Sequence, residues 1–186
     1  MTAAAEARAY VIEPLDPARH DRAAFACGVV QVDNFFRRTA GKLARADMLR
    51  TFVMTSPAGE LIGFYAVNAH AVDHKELPAR LARNRPGHGS IPAAYISMIG
   101  VNRRFQGRGH GGDLLIVCLT RLARAAEALG VAIVMLDVLD CGDPAQVERR
   151  RKLYIGYGFA PLPSQPLRLF MPMATVRALL REAEQS

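Results

Sequence analysis

The chain has 186 residues, 51% of them hydrophobic and 22% charged, which is typical of one globular domain and excludes a disordered or low-complexity chain. No apolar run reaches the length of a membrane span, and Glu6 and Arg8 interrupt the stretch where a secretory signal would be apolar. The net charge of +7 makes polyanions candidate partners. We therefore expect a cytoplasmic protein with no membrane association and one domain over residues 1–186, of which residues 1–8 form a loose N-terminus.

Hydrophobic periodicity predicts alternating strands and helices in the first half of the chain. A strand in "AYVIEPL" is broken at Pro14, and "VDNFFRRTAGKLARAD" has the spacing of an amphipathic helix. Its expected apolar face consists of Val32, Phe35, Phe36, Thr39, Ala40 and Leu43, and the opposite face carries Arg38, Lys42 and Arg45. The turn "SPAGE" joins the strands "RTFVMT" and "LIGFYAVNAH" into a hairpin, and a short helix and loop follow between Leu77 and Pro92.

The second half begins with a strand in "AAYISMIGV", which leads into the glycine-rich stretch "RRFQGRGHGG". A helix follows, with Leu115, Leu119, Leu122, Ala126 and Leu129 at helical spacing, and then the strand "VAIVMLDVL". The next helix has Asp143 as its expected N-cap, Pro144 at its first position and Gln146 at capping-box spacing. The strand "LRLFMPM" and the helix "ATVRALLREAEQ" complete the predicted order.

The glycine-rich stretch allows two interpretations. Gly107, Gly109 and Gly112 have the dinucleotide-binding spacing, with Asp137 at the end of the next strand as a candidate ribose ligand. Against this interpretation, the polar residues "NRRFQ" separate the strand from the glycines. The rest of the chain also contains no second βαβαβ half, which a dinucleotide-binding fold would have. Alternatively, "RFQGRG" is a turn leading into a helix, whose N–H groups and positive dipole end would bind a pyrophosphate. Arg104 and Arg108 would then add charge-assisted bonds.

This R-x-x-G-x-G pattern and the order of elements from Tyr10 to Met173 resemble the GNAT family of acyl-CoA-dependent N-acetyltransferases. The resemblance implies a mixed α/β fold, in which a central, mostly antiparallel sheet is splayed in the middle and flanked by helices. It also implies acetyl-CoA as the acyl donor, with the pantetheine arm between "ISMIGV" and "AIVMLDVL". The implied cofactor-binding residues are Ile99, Val101, Arg104, Gln106, Gly107, Arg108, Gly109, Gly111 and Gly112.

The sequence "LYIGYGF" resembles the family's tyrosine followed by a G-F pair. The resemblance implies that Tyr154 is the catalytic acid, whose phenol protonates the departing thiolate. A half-buried aromatic ring that packs its helix against the sheet is the alternative. The three cysteines, Cys27, Cys118 and Cys141, form no C-x-x-C motif, so we expect reduced thiols and no metal.

A narrower resemblance extends over nearly the whole chain, including "GFYAVNAHAV" and "IPAAYISMIGVNRRFQGRGHGGDLL". These stretches resemble the GNAT toxins of bacterial toxin–antitoxin pairs, which acetylate the free amino group of aminoacyl-tRNA and are neutralised by a ribbon-helix-helix antitoxin. The chain departs from that pattern at "QVERRRKLYIGYGF", where an alanine-rich segment is usual, and at Ser97 and Met98, where an arginine-leucine pair is common. A homodimer is also compatible with the sequence.

The strand "AYISMIGV" contains no acidic residue that would act as a strong base, which favours an α-amine, of pKa about 7.7 to 8.0, over a lysine of pKa about 10.4. His70 and His110 are candidate bases with a structural role as the alternative. The expected tRNA contacts are Arg38, Lys42, Arg45, Arg150 and Arg151, with Arg149 beside them, unless these are simply solvated helix faces. Two other functions stay open: acetylation of a small amine or protein N-terminus, and non-enzymatic binding of RNA.

Overall fold

A computed structural model describes residues 9–185, so the loose terminus expected at residues 1–8 lies outside the described residues. Seven strands form one sheet in the order β1-β2-β3-β4-β5-β7-β6. The strands are β1 Val11–Pro14, β2 Arg50–Thr55, β3 Leu61–Asp73, β4 Ser90–Val101, β5 Ile133–Asp137, β6 Ala160–Leu162 and β7 Gln165–Pro172. The helices are α1 Val30–Asn34, α2 Ala40–Arg45, α3 Ala79–Ala82, α4 His110–Ala128, α5 Pro144–Gly156 and α6 Met173–Glu184.

The sheet is mostly antiparallel, with one parallel ladder in its middle. β1 runs antiparallel to β2, and β7 runs antiparallel to both β5 and β6. The parallel ladder joins β4 to β5 from the pair Ala93–Ile133 to the pair Ile96–Leu136. β4 continues beyond this ladder to Val101. The predicted fold class, a mixed α/β protein with a splayed central sheet, is confirmed.

The chain folds into two compact units. Among the described residues, the first comprises residues 9–66 together with Met98–Leu114, and the second comprises Val67–Ser97 together with residues 115–185. Whether the chain acts as one domain stays a prediction. Among the described helices, none combines the length and the apolar character that a bilayer crossing requires.

Stacked aromatic rings form the core of the first unit. The Phe36 ring lies 4.1 Å from the Phe64 ring and 4.8 Å from the Phe25 ring, measured between centroids. A Cβ at Gly100 would come within 2.9 Å of Val32 Cγ1. Glycine therefore lets the end of β4 approach this core closely.

The helix expected after residue 30 is present, but a π-helical turn, Phe35–Thr39, separates α1 from α2. The Ala40 N–H donates to Phe35 O, five residues back, so this turn contains one more residue than an α-helical turn. Val32, Phe36 and Ala40 are accordingly buried at a spacing of four. Thr39 is exposed, so its assignment to the apolar face was wrong.

On one face of the strands of the second unit, Ile133, Met135 and Phe170 pack against Leu77 and neighbouring residues. The alternate residues Val134 and Met171 are also buried, so both faces of these strands are covered. On α4, Leu115, Leu119 and Leu122 are buried as expected. Leu129 is 65% exposed because α4 ends before it, so that assignment was wrong. β6 was not predicted, because three residues including a proline are too few to show strand alternation.

Candidate active site

The glycine-rich loop lies in the first unit, between β4 and α4. A single 3₁₀ turn, Arg103–Phe105, leaves β4, and α4 begins at His110. Gly107 and Gly109 have φ values of 76° and 84°, in the left-handed region that favours glycine. The glycines at these two positions therefore let the chain turn sharply into the helix.

The loop presents unused donors at the N-terminus of α4. Within residues 9–185, the backbone N–H groups of Gly107, Arg108, Gly109 and Gly111 donate no hydrogen bond, whereas those of Gly112 and Asp113 donate to Gly109 O at 3.0 and 3.2 Å. Free N–H groups at the N-terminus of a helix carry partial positive charge and bind anions. The N–H of Gly112 is already bonded within the loop, and a role of Gly112 in cofactor binding stays a prediction.

Two arginines flank the Phe105 ring beside this loop. The guanidinium carbons of Arg104 and Arg108 each lie 5.7 Å from the ring centroid. Arg104 also pairs with Glu60 at 3.0 Å, but both side chains are largely exposed. Such an exposed pair contributes little to stability, so both guanidinium groups are available to an anion at the loop.

The Gln106 side chain holds the loop instead of facing an anion. Its Nε2 donates to Cys27 O at 2.7 Å and to Val101 O at 2.9 Å, which uses both amide hydrogens. The remaining Oε1 accepts hydrogen bonds and would repel a phosphate. Gln106 therefore positions the loop, and its direct contact with a cofactor stays a prediction.

Ile99 and Val101 lie on the part of β4 that continues past its ladder with β5, and both are half-buried. The Val101 carbonyl already accepts the Gln106 amide. The backbone of Ile99 is thus better placed than that of Val101 to pair with an extended ligand along this edge.

Tyr154 lies in the second unit, on a helix that begins as predicted. Asp143 Oδ1 accepts the Ala145 and Gln146 N–H groups at 3.0 and 3.3 Å, and Gln146 Nε2 donates to Oδ2 at 2.9 Å. The Tyr154 ring packs edge-on against Phe159 at 6.0 Å. Burial raises the pKa of Tyr154 to about 12, against a smaller lowering by the positive charge of Arg150. The phenol therefore stays protonated at neutral pH and is able to donate its proton.

The basic residues that the sequence predicts as tRNA contacts differ in the hydrogen bonds and ion pairs that their side chains already make. Arg38, Lys42 and Arg45 are exposed, and their side chains make no hydrogen bond or ion pair within the described part of the chain. On α5, Arg150 donates to Cys141 Sγ at 3.3 Å and to Gln146 Oε1 at 3.2 Å, and Arg151 pairs with Glu148 at 3.4 Å. Arg149 is exposed and has no such partner among residues 9–185.

The two candidate histidine bases have different surroundings. His110 is 8% exposed and lies edge-on to Tyr10 and Phe105, with ring centroids 6.2 and 6.4 Å away, which indicates a structural role. His70 is exposed, and its ring lies 5.3 Å from that of Tyr95. Sequence reasoning missed the group around Tyr95, in which Asp137 binds Arg168 and Tyr95. Only strand register brings these residues together, so no local pattern reveals them.

Known proteins resemble this chain over most of its length. No protein-family model matches the chain. A probable toxin TacT of Sinorhizobium fredii (strain NBRC 101917 / NGR234) is 60% identical over 171 residues, which are 91% of this chain and 94% of that protein. A tRNA-acetylating toxin of Mycobacterium tuberculosis (strain ATCC 25618 / H37Rv) is 31% identical over 160 residues, covering 86% and 90% of the two chains.

Solved structures give the same fold at lower identity. AtaT complexed with acetyl-methionyl-tRNAfMet has a TM-score of 0.79 at 22% identity, over 91% of this chain and 98% of that one. AtaTR bound with AcCoA has a TM-score of 0.76 at 23% identity, over 92% and 98% of the chains. Together with the fold and the glycine loop, the two curated relatives place the chain in the GNAT class of N-acetyltransferases. The chain belongs to the family of GNAT acetyltransferase toxins.

Proposed function

We propose that this protein is a toxin that transfers the acetyl group of acetyl-CoA directly to the α-amino group of aminoacyl-tRNA. The observation that carries the proposal is the 31% identity, over 86% of the chain, to a tRNA-acetylating toxin. The relatives match nearly their full length, which supports one acetyltransferase domain over residues 1–186. A cytoplasmic location follows from the proposed substrate.

The glycine-rich loop would bind the pyrophosphate of acetyl-CoA. Its fit rests on the free N–H groups of Gly107, Arg108, Gly109 and Gly111 and on the Arg104 and Arg108 guanidinium groups. Gln106 holds the loop in this shape through Cys27 and Val101. Beyond the ladder with β5, the backbone of Ile99 would pair with the pantetheine arm while Val101 contributes its apolar side chain.

Acetyl-CoA supplies the reactive thioester. The unprotonated α-amine attacks the carbonyl carbon, so a C–N bond forms and the C–S bond breaks. Tyr154 donates its proton to the departing thiolate, and the proton released by the nitrogen restores the phenol. Because burial raises the pKa of Tyr154 to about 12, the acid is fully protonated before each turnover.

The exposed cations would bind tRNA phosphates. Arg38, Lys42 and Arg45 on one helix and Arg149 on another are unpaired in the described chain, and Arg150 and Arg151 have partners that a phosphate can replace. AtaT has been solved with acetyl-methionyl-tRNAfMet, which supports this kind of substrate. Phosphate contacts of this type make binding fall with salt.

An antitoxin is the second proposed partner. AtaT has been solved bound to the C-terminus of the antitoxin AtaR, and a KacTA–DNA complex is also known. We expect a ribbon-helix-helix antitoxin for this chain. A homodimer stays a prediction.

The test is acetyl transfer to a pool of charged tRNAs with radiolabelled acetyl-CoA. Label should appear on the esterified amino acid of at least one tRNA, while uncharged tRNA stays unlabelled. Expression without antitoxin should arrest growth. Acetylation of polyamines or free amino acids with charged tRNA untouched would reject the proposed substrate in favour of a small-amine acetyltransferase. RNA binding with no turnover of acetyl-CoA would instead indicate the non-enzymatic module.

A further inference from the structure

A polar group of four residues in the second unit, here called the Asp137 cluster, has no role in the reaction described above. It consists of Asp137, Arg168, Tyr95 and His70. Arg168 Nε donates to Asp137 Oδ1 at 2.7 Å and its Nη2 donates to Oδ2 at 2.9 Å. The Tyr95 hydroxyl donates to Oδ2 at 2.8 Å, and the His70 ring lies 5.3 Å from the Tyr95 ring.

The cluster lies at the point where the central sheet opens. The last pair of the β4–β5 ladder is Ile96–Leu136, so Asp137 is the first β5 residue beyond it. Asp137 and Arg168 also line an open groove of about 370 Å³ with Gln165, Pro166 and Leu167. The Asp137 side chain is 38% exposed, so a ligand in the groove has access to its carboxylate.

The hydrogen bonds of the cluster determine which ligand it can take. Asp137 neutralises Arg168, so the groove offers no unpaired positive charge to an anion. Asp137 Oδ1 accepts one hydrogen bond here, and the Tyr95 oxygen donates one, so each has acceptor capacity left. Because Arg168 equally neutralises Asp137, these acceptors fit an uncharged hydrogen-bond donor, such as a free amine.

We propose that Asp137 and Tyr95 bind the α-amino group of the aminoacyl end of the acceptor, with Arg168 positioning the carboxylate. This inference rests on the proposed function and adds the residue that holds its nucleophile. The competing explanation is a purely structural clamp, since the cluster also ties β4, β5 and β7 together.

The two explanations differ in their effect on the pH dependence of the reaction. Arg168 keeps the pKa of Asp137 low, so the carboxylate is ionised throughout the working range. The negative charge of Asp137 raises the pKa of a bound amine and the positive charge of Arg168 lowers it, so removal of either charge leaves the other uncompensated. The charged or titratable groups around the amine are Arg168, Tyr95 and His70, and Glu76 acts on Arg168 from further away. Tyr95 stays neutral, because burial and Asp137 raise its pKa to about 12.

Replacement of Asp137 and of Arg168 should therefore move the pH profile in opposite directions. The experiment measures the rate of acetylation of charged tRNA against pH, as a single turnover at saturating enzyme and acetyl-CoA for the midpoint and as steady-state turnover at varied tRNA for KM. Asp137→Asn should lower the midpoint of the rising limb by about 0.5 to 1 pH unit and raise KM about tenfold. Arg168→Gln removes a positive neighbour and should raise the midpoint. Asp137→Glu keeps the charge and should keep the wild-type midpoint.

Asp140→Asn is the matched control, since Asp140 is an exposed carboxylate nearby whose side chain accepts the Gly142 N–H at 3.0 Å. Asp140→Asn should leave both the midpoint and KM unchanged. A second control, His70→Gln, measures whether the His70 side chain contributes to the pH profile. A midpoint that stays fixed, or moves opposite to the stated direction, in either Asp137→Asn or Arg168→Gln would overturn the inference in favour of the clamp. Each variant is decisive alone, so the failure of one to fold leaves the other as the test. Absence of tRNA acetylation by the wild-type protein would instead refute the proposed function.

Discussion

Replacement of Gly111 by aspartate should affect acetyl-CoA binding and stability in opposite directions. Gly111 lies in the first turn of α4, outside the left-handed region, and an added Cβ would be 3.8 Å from Val101 Cγ2, an ordinary contact. The substitution therefore introduces a carboxylate beside the free N–H groups without straining the backbone. In the absence of cofactor, a negative charge at a helix N-terminus stabilises the helix by about 0.3 to 1 kcal/mol.

With acetyl-CoA present, the same carboxylate would lie beside the pyrophosphate, and like charges about 5 Å apart repel strongly. At that distance each pair of like charges costs about 0.8 kcal/mol in water and about 3 kcal/mol at an effective dielectric constant of about 20. Two phosphate charges, partly screened, give a loss of about 1.5 to 3 kcal/mol. The Kd for acetyl-CoA should rise about 10- to 150-fold.

Calorimetric titration with acetyl-CoA and chemical unfolding of the free protein measure the two effects. Gly111→Asn is the control, because it has the same size without the charge. The difference between the two variants should shrink as salt rises. Equal Kd values for the two variants, or an aspartate variant that binds as tightly as the wild type, would refute the placement of the pyrophosphate at this loop.

Three further outcomes follow from the site. Tyr154→Phe should lower kcat about 10²-fold and leave the Kd for acetyl-CoA unchanged; an unchanged kcat would reduce Tyr154 to a packing residue. Because its folded pKa is raised to about 12 from an unfolded value of about 10, the stability that Tyr154 contributes should be complete below pH 10 and lost as pH rises toward 12. Unfolding in denaturant across that range, compared with Tyr154→Phe, measures this loss. Arg150→Ala with Arg151→Ala should flatten the log–log salt dependence of kcat/KM by up to about one unit per lost phosphate contact, whereas the exposed pair Arg177→Ala with Arg181→Ala should not.

Sequence reasoning succeeded where the determinants are local. The short run "RTFVMT" before the turn "SPAGE" predicted β2, and Asp143 with Gln146 marked the start of α5, because capping uses residues three apart. Gly107 and Gly109 were singled out for a turn, and both have positive φ.

The failures concern contacts between distant parts of the chain. The amide of Gln106 is bound to Cys27, far away in sequence, and no pattern around Gln106 indicates that. Asp137 was considered only as a ribose ligand, because its pairing with Tyr95 and Arg168 depends on strand register. Leu129 followed the helical spacing but lies past the end of the helix, which the spacing alone does not fix.

The π-helical turn also limits how this surface can be redesigned. A helical wheel advances about 100° per residue, so a wheel drawn through the π-helical turn misplaces every position after Thr39 by about that angle. A synthetic peptide spanning this region would form a regular α-helix, if any, and would present Arg38 and Lys42 on different sides relative to Val32. It would also lose the bond from Arg22 to Phe36 O, which is 3.1 Å long in the protein. A mimic of this basic surface therefore has to include the residues that contact the π-helical turn in the protein, such as Arg22.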